Sequence, residues 1–266
     1  SWLCHILSLA GAKVIGYSLN PPTMPSMYDL SKPDNIISIE GDIRDLLKLR
    51  NVFQKYEPEI VIHLAAQPLV RESYEKPVYT FDVNVMGTVN VCECVRKTAS
   101  VKSFLNVTTD KVYENKEWDW GYRECERLNG YDPYSNSKSC SELVTDCYKK
   151  SFFDDLGVAV STARAGNVIG GGDFSDNRII PDCVRAVSSK KVIAVRNPNS
   201  IRPYQHVLEP LSAYLMIAQK QYQNSSYSGN YNVGPNEDDC ISTGQLVTLF
   251  CECWGDNASW KSLNDH

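Results

Sequence analysis

The sequence predicts an α/β protein with a doubly wound parallel sheet and a smaller C-terminal region. Strand-like and helix-like segments alternate through the first 165 residues, a rhythm that favours parallel strands with helices on both faces. The chain has 266 residues, of which 42% are hydrophobic and 22% charged, enough for one large core or two unequal domains. The predicted order is Rossmann-like.

The elements follow from apolar runs, helical spacing and their flanking breakers. Gly11 closes a first helix, Pro58 ends a later one, and Pro133 stands where the first turn of a helix accepts proline. Strands are predicted at 13–17, 36–40, 59–65, 103–109 and 158–165, and helices at 2–11, 45–56, 77–99 and 133–153.

From about residue 166 the rhythm loosens into loops rich in Gly and Pro, with shorter elements at 178–189, 191–195, 231–234 and 243–254. We therefore expect a nucleotide-binding domain over 1–165 and a mainly substrate-binding region over 166–266, from which some elements return to the first domain. No strand with a Gly-rich turn stands ahead of the first helix. We expect that strand and turn to be missing from this chain, and the C-terminus to be shortened as well.

Composition disfavours several other classes of protein. The formal net charge is -5 and Lys and Arg are scattered, so no basic stripe points to nucleic acid. No apolar run is long enough to span a membrane. The His and Cys spacings match no metal-site pattern, so no metal is expected. We interpret eight cysteines as reduced core thiols in apolar, helical segments: Cys4, Cys92, Cys94, Cys140, Cys147, Cys183, Cys251 and Cys253.

Tyr134 and Lys138 are a candidate catalytic pair, because a spacing of four residues near a helix N-terminus places them on one face. A phenol has a pKa near 10, and a nearby cation favours its ionised form, so Lys138 is expected to lower the pKa of Tyr134. The alternative is that both side chains lie on a solvent-exposed face of the helix and have no catalytic role. A second match, Tyr28 and Lys32, lies in a Pro-rich stretch and is discarded.

Thr109, Asp110 and Lys111 follow an apolar strand that turns abruptly polar after Val107. Open α/β sheets bind ligands at the carboxyl ends of their strands, so these side chains are candidates for chemistry. The alternative is a turn with Asp110 and Lys111 in solvent.

The motifs, taken together, resemble the nucleotide-sugar dehydratases of the extended short-chain dehydrogenase/reductase family, and within them the CDP-glucose 4,6-dehydratases. The narrowest matches are the segments beginning at Thr108 and Ser200, "TTDKVYENKEWDWGYRE" and "SIRPYQHVLEPL". Further matches are "GDIRD" at 41–45, "HLAAQPLVRESYEKPV" from His63, "NVMGTVNV" from Asn84, "YDPYSNSK" from Tyr131 and "RAGNVIGGGD" from Arg164. His63 itself is as compatible with packing as with function.

This resemblance implies residue roles. Thr109 would orient the substrate's 4-hydroxyl with Tyr134, Asp110 would protonate the leaving 6-hydroxyl, and Lys111 stands where related dehydratases have a Glu that removes the proton on carbon 5. A lysine must be neutral to accept that proton, which leaves the identity of the base open. Implied cofactor contacts are Asp42, Ile43, Leu64, Ala65, Ala66, Gln67, Tyr134 and Lys138; implied substrate contacts are Arg71, Asn84, Asn167 and Arg202.

NAD is the expected cofactor. The segment after the strand at 13–17, "SLNPPT", carries no acidic residue for a ribose and no Arg for an NADP phosphate, so NADP is disfavoured. Ser18 and Asn20 are candidate ribose partners, although such residues are often only turn formers. NAD itself rests on the resemblance.

The resemblance also implies the reaction. CDP-glucose would be oxidised at carbon 4, lose water across carbons 5 and 6, and regain the hydride at carbon 6, with no net redox change. A homodimer in the cytoplasm and a role in deoxysugar synthesis are implied in the same way. The alternatives are another nucleotide-sugar 4,6-dehydratase, a nucleotide-sugar 4-epimerase, in which Asp110 and Lys111 would more often be small residues, and a non-catalytic relative that only binds nucleotide sugars.

Overall fold

The computed structural model describes residues 1–31 and 35–263, so Lys32 of the discarded pair lies outside the described residues. Its strands are β1 Val14–Ser18, β2 Ile36–Glu40, β3 Ile60–His63, β4 Ser103–Val107, β5 Ala159–Ala165, β6 Val168–Ile169, β7 Ile193–Val195, β8 Ile201–Arg202, β9 Gln205–His206, β10 Asn230–Val233, β11 Ile241–Ser242 and β12 Trp260–Ser262.

Its α-helices are α1 Trp2–Leu9, α2 Met27–Leu30, α3 Leu46–Tyr56, α4 Val70–Glu75, α5 Pro77–Phe81, α6 Gly87–Arg96, α7 Pro133–Tyr148, α8 Asp154–Leu156, α9 Ile179–Ser188, α10 Leu208–Gln223 and α11 Thr243–Trp254. Two π-helical turns, Asp82–Met86 and Lys149–Phe153, continue α5 and α7, and short 3-10 turns occur at Asp110–Val112, Ser225–Tyr227 and Glu237–Asp239.

The main sheet has the strand order β10-β5-β4-β3, and every neighbouring pair is parallel. Within the described residues β1 pairs with β2, also in parallel, in a separate two-stranded sheet. The register places Asn106 of β4 between His63 of β3 and Thr162 of β5. The predicted α/β class with a parallel sheet is therefore confirmed.

Helices cover both faces of the main sheet, as expected of a doubly wound protein. On one face Phe104 of β4 packs in a core with Leu49 and Phe53 of α3, residues of α6, and Phe153 after α7. On the other face Leu105 packs with Leu211 of α10 and residues of α1. Because neighbouring residues of a strand point to opposite faces, β4 contributes to both cores.

Capping side chains explain where the predicted helices begin. Asp45 accepts a hydrogen bond from the main-chain N–H of Lys48 at 3.0 Å and so caps α3. Asp132 accepts from the N–H of Ser135 at 3.0 Å, and Pro133 occupies the first turn of α7. The start of α7 is thereby fixed just ahead of Tyr134.

The C-terminal part contains a core of its own around Cys183, Ile193, Val195 and Val247. Two elements return to the main sheet: β10 extends it beside β5, and α10 packs against it. The boundary between 1–165 and 166–266 stays a prediction. In the described part of the chain no helix is both long and apolar enough to cross a bilayer.

All ten cysteines carry free thiols. Cys92, Cys94 and Cys183 are buried, as predicted, whereas the prediction is wrong for Cys147 and Cys253, which are exposed on the outer sides of their helices. Among residues 1–31 and 35–263, no three His, Cys, Asp or Glu side chains group as metal ligands.

Candidate active site

The polar segment after β4 forms a compact turn in which three predicted catalytic side chains meet. Thr109 caps the 3-10 turn Asp110–Val112 and donates a hydrogen bond to Asp110 Oδ1 at 3.0 Å. The Lys111 ammonium lies 2.8 Å from the same oxygen and 3.5 Å from Asn167 Oδ1. Neighbouring residues on a helix usually point apart, so it is this tight turn that brings Asp110 and Lys111 together.

Tyr134 lies against this turn from the first turn of α7. The side chain of Thr109 is near enough to its phenol to favour the ionised form. Burial, reinforced by the negative charge of Asp110, raises the pKa of Tyr134 to about 12, and Thr109 and Arg178 oppose that rise. The phenol is therefore protonated at neutral pH in this structure.

Lys138 does not act on Tyr134 as the sequence suggested. Its ammonium group is buried and donates to the main-chain carbonyl oxygen of Val107 at 3.1 Å. Burial lowers the pKa of Lys138 to about 8, although Glu142 nearby favours the charged form. The expectation that Lys138 lowers the pKa of Tyr134 is thus wrong for this structure, because desolvation of the phenol outweighs any cation.

His63, at the end of β3, is a packed residue. Its Nε2 is hydrogen-bonded to Thr88 Oγ1 at 3.2 Å, and Thr88 donates to the Asn84 carbonyl oxygen at 2.7 Å. Burial, with a smaller effect of the Lys138 charge, lowers the pKa of His63 to about 3. The imidazole is therefore neutral under ordinary conditions.

Asn84 was predicted to contact substrate, and the structure corrects this. Its side chain is buried in the π-helical turn, accepts from the main-chain N–H of Gln67 at 2.8 Å and donates to the Gln67 carbonyl oxygen at 3.1 Å. It also donates to Ser137 Oγ on α7 at 2.9 Å. With every polar atom of the amide used inside the protein, Asn84 joins the loop after β3 to the catalytic helix.

The residues predicted to contact the cofactor follow β1, β2 and β3 at the carboxyl edge of the strands. Ser18 and Asn20 are exposed, Leu64 is 43% exposed, and Ala65 and Ala66 are half-buried.

Three others have side chains engaged within the protein. The Asp42 carboxylate binds Arg44 at 2.6 Å, Ile43 belongs to the core, and the Gln67 amide donates to Thr80 Oγ1 at 2.9 Å. The side chains of Ile43 and Gln67 are buried, so their contacts with a cofactor would have to come from the main chain, whereas the Asp42 side chain is 24% exposed.

The remaining predicted substrate residues differ in their surroundings. Asn167 reaches the turn after β4 through Lys111. Arg71 on α4 and Arg202 on β8 are exposed. Sequence reasoning missed Arg178, the residue before α9, whose positive charge acts on Tyr134 and whose guanidinium lies 3.4 Å from Asp173. No spacing rule links Arg178 to Tyr134, because a loop of the second region carries it there.

A buried ion pair beneath the site was also missed. Arg164, on β5, donates to both oxygens of Glu142 on α7, at 3.0 and 2.9 Å. The sequence contained two signals for this ion pair. Glu142 lies one helical turn after Lys138, and Arg164 stands inside an apolar strand.

Comparison with known proteins identifies the family. The family model described as GDP-mannose 4,6 dehydratase matches residues 1–247. The chain belongs to this family. It is 48% identical over 267 residues to the CDP-glucose 4,6-dehydratase of Salmonella typhimurium, covering 98% of this chain and 74% of that protein.

Solved structures of other proteins share the fold. A UDP-glucose 4-epimerase of Thermotoga maritima, solved with UDP-glucose, superposes with a TM-score of 0.86 at 20% identity, over 100% of this chain and 82% of that one. A dTDP-glucose 4,6-dehydratase of Bacillus anthracis, solved with NAD, gives a TM-score of 0.82 at 20% identity, over 99% and 80%.

Proposed function

We propose that the protein is an NAD-dependent dehydratase that converts CDP-glucose to CDP-4-dehydro-6-deoxyglucose and water. The observation that carries this is the meeting of Thr109, Asp110 and Lys111 with Tyr134 at the carboxyl end of β4. The choice of CDP-glucose rests on the 48% identity to the Salmonella typhimurium enzyme.

The free N–H donors of Lys138 suit a dinucleotide cofactor. The buried ammonium of Lys138 has three N–H donors, and one bond, to Val107, is formed within the described residues. Two donors therefore remain for the hydroxyls of a nicotinamide ribose. Ser18 and Asn20, exposed after β1, suit the other ribose. A bound NAD would supply the hydride chemistry, as acceptor for carbon 4 and donor for carbon 6.

Tyr134 and Thr109 act at carbon 4. The Thr109 hydroxyl, anchored between Tyr134 and Asp110, orients the 4-hydroxyl of the sugar toward the phenol, and Tyr134 takes its proton. The pKa of about 12 describes the protein without ligands. A positive charge brought close to the phenol on binding would lower that pKa.

Asp110 and Lys111 act at carbons 5 and 6. The ketone at carbon 4 acidifies the proton on carbon 5, Lys111 removes that proton, and Asp110 protonates the departing hydroxyl. This pair also separates dehydration from 4-epimerisation, which needs no acid for a leaving hydroxyl. A protein that only bound nucleotide sugars would not require the pair at all.

The remaining residues hold the substrate. Asn167 keeps Lys111 over the sugar, and the exposed guanidinium groups of Arg202 and Arg71 suit the diphosphate, because a planar fork can donate two hydrogen bonds to one phosphate.

A homodimer in the cytoplasm is part of this proposal. Apolar side chains exposed on the outer helices, such as Val78, Met86 and Leu143, support a contact between two copies of α5, α6 and α7. Sedimentation would test the oligomer directly.

A panel of nucleotide sugars tests the function. The protein, supplied with NAD, is incubated separately with CDP-glucose, dTDP-glucose, UDP-glucose and GDP-mannose. The molecular mass of each product is then measured by mass spectrometry. We expect loss of one water from CDP-glucose at a rate at least tenfold above that of the others. Equal rates, or preference for another base, would overturn the substrate assignment.

A further inference from the structure

Tyr214, on α10, is a buried tyrosine that none of the steps above uses. Its side chain is 3% exposed, and its ring packs with Leu105, Ala163 and Leu211 in the core between α10 and the main sheet. In the parts of the chain that the structure describes, no residue shares a hydrogen bond with its hydroxyl. Buried tyrosine hydroxyls usually have a partner, so an unpaired one indicates a group from outside the chain.

The direction of α10 brings this hydroxyl to the carboxyl edge of the sheet. Near the C-terminal end of α10, Gln221 donates to the carbonyl oxygen of Phe104 at 3.1 Å, at the start of β4, so helix and strand run in opposite directions. Side chains on a helix lean toward its N-terminus, and the Tyr214 ring therefore leans toward the end of β4.

Tyr134 is the neighbour that the Tyr214 hydroxyl approaches at this edge. Burial raises the pKa of Tyr214, and the nearby phenol of Tyr134 adds to that rise. The two tyrosines come from helices on opposite faces of the main sheet, since α7 leads into the core around Phe104 and α10 belongs to the core around Leu105. Two phenols thus come close to each other where the proposed reaction takes place.

We propose that the Tyr214 hydroxyl donates a hydrogen bond to the carboxamide of the nicotinamide ring when NAD is bound. The inference rests on the proposed function and deepens it, because it names a residue that orients the reacting end of the cofactor. Tyr214 is in this sense a cofactor-binding residue and takes no part in proton transfer.

The position of Tyr134 favours the nicotinamide as the partner. In the proposed reaction Tyr134 takes the proton of the 4-hydroxyl while a hydride leaves the same carbon, so phenol and nicotinamide serve one atom from adjoining places. Lys138, which is assigned to the ribose that carries this ring, donates to the carbonyl oxygen of Val107 at 3.1 Å. The side chain of Val107 packs in the same core as Tyr214.

The chemistry of the hydroxyl also suits a carboxamide. Because burial raises the pKa of Tyr214, the phenol keeps its proton at neutral pH and stays a hydrogen-bond donor. A carboxamide oxygen is an acceptor of the matching kind. Ala163 and Ala165, which share the core with the Tyr214 ring, are apolar and offer the hydroxyl no competing side-chain acceptor.

Tyr214→Phe tests the contact, because phenylalanine keeps the ring in the core and removes only the hydroxyl. Binding of NAD and of ADP-ribose, which lacks the nicotinamide, is measured by calorimetry. We expect NAD to bind about tenfold more weakly to the variant, the size expected for one lost hydrogen bond. The affinity for ADP-ribose should stay within about twofold of the parent.

An NAD analogue with hydrogen in place of the carboxamide supplies the matching change on the ligand. It should bind equally to the parent and to Tyr214→Phe, because the contact is already lost. The control variant is Tyr222→Phe, on the same helix, whose hydroxyl bonds Glu59 at 3.0 Å. It should bind NAD, ADP-ribose and the analogue as the parent does.

Three results would overturn the assignment. Equal weakening of NAD and ADP-ribose would show that Tyr214 acts through the fold. Unchanged NAD affinity with a raised KM for CDP-glucose would assign the hydroxyl to the sugar, and unchanged values of both would leave it no role in binding.

Conversion of CDP-glucose by the parent protein is measured separately. If the parent binds NAD and does not convert the sugar, the proposed function fails, while the contact of Tyr214 is still decided by the affinities. A parent protein that does not bind NAD would overturn both.

Discussion

The Glu142 carboxylate and the Arg164 guanidinium form a bidentate ion pair in which each side chain is 2% exposed. Thr162 donates a further hydrogen bond to Glu142 at 2.7 Å, and Arg164 donates to the Tyr113 hydroxyl at 2.8 Å. The pair ties α7, which carries Tyr134 and Lys138, to β5. The catalytic helix is thus anchored by charges that water does not reach.

Breaking this pair on one side should be costly, because the remaining charge stays buried. We expect Arg164→Met to lower the free energy of unfolding by about 3–5 kcal/mol in urea titrations. The double variant Glu142→Leu with Arg164→Met should recover part of that loss. The exposed pair Asp146 and Lys150 is the control: Asp146→Asn should change stability by less than about 1 kcal/mol. If Arg164→Met and Asp146→Asn lowered the free energy of unfolding equally, the anchoring role of the buried pair would be contradicted.

His63 should make the protein sensitive to acid. Its pKa is about 3 in the folded state against an ordinary value near 6.5, so the unfolded chain binds the proton more readily. The contribution of His63 to the free energy of unfolding is fully present above pH 6.5. It is lost as the pH falls toward 3, at up to about 1.4 kcal/mol per pH unit.

His63→Gln should therefore flatten the dependence of unfolding free energy on pH between 3 and 6.5, whereas the same change at the exposed His206 should leave it intact. NMR titration adds a second test. In Lys138→Met the His63 pKa should rise yet stay below 6.5, because burial is the larger cause of its depression. An unchanged slope in His63→Gln would refute the prediction.

Asn84 should act on cofactor binding through the loop after β3. Asn84→Ala removes three buried hydrogen bonds, two to Gln67 and one to Ser137. We expect a loss of about 1–3 kcal/mol of stability and, through the loosened loop, about tenfold weaker binding of NAD in calorimetry. Ser137→Ala, which removes one of the three bonds, should have a smaller effect on both quantities. Unaltered NAD affinity in Asn84→Ala would show that the loop holds its shape without this anchor.

Tyr134→Phe should stop the reaction at its first step. Without the phenol hydroxyl the proton of the 4-hydroxyl has no acceptor, so kcat should fall by about 10²–10⁴ and no reduced cofactor should accumulate. Tyr131→Phe, at a side chain 93% exposed, is the control and should be fully active. Accumulation of reduced cofactor in Tyr134→Phe would assign proton removal at carbon 4 to another group.

Much of the fold could be read from the sequence because its signals are local. Asp45 and Asp132 each cap a helix by accepting from a main-chain N–H only three residues further along the chain. The apolar run of β4 likewise ends at the residue where the strand ends. The same local signal predicted that Thr109, Asp110 and Lys111 lie together at this edge of the sheet, and in the structure their side chains do meet.

The errors concern contacts that a local pattern does not determine. A motif places Lys138 one turn from Tyr134, but the direction of a long side chain depends on its surroundings, here the Val107 carbonyl oxygen. Asn84 points inward because a π-helical turn rotates it toward Gln67. Arg178 reaches Tyr134 from a distant loop, a relationship set by tertiary packing.

The most direct measurement follows one hydrogen atom. CDP-glucose carrying deuterium at carbon 4 is incubated with the protein and NAD, and the product is examined by mass spectrometry and NMR. The account predicts a product lighter by one water with deuterium at carbon 6, because the hydrogen taken from carbon 4 returns within the same site. A product of unchanged mass with inverted configuration at carbon 4, or the absence of any conversion, would contradict it.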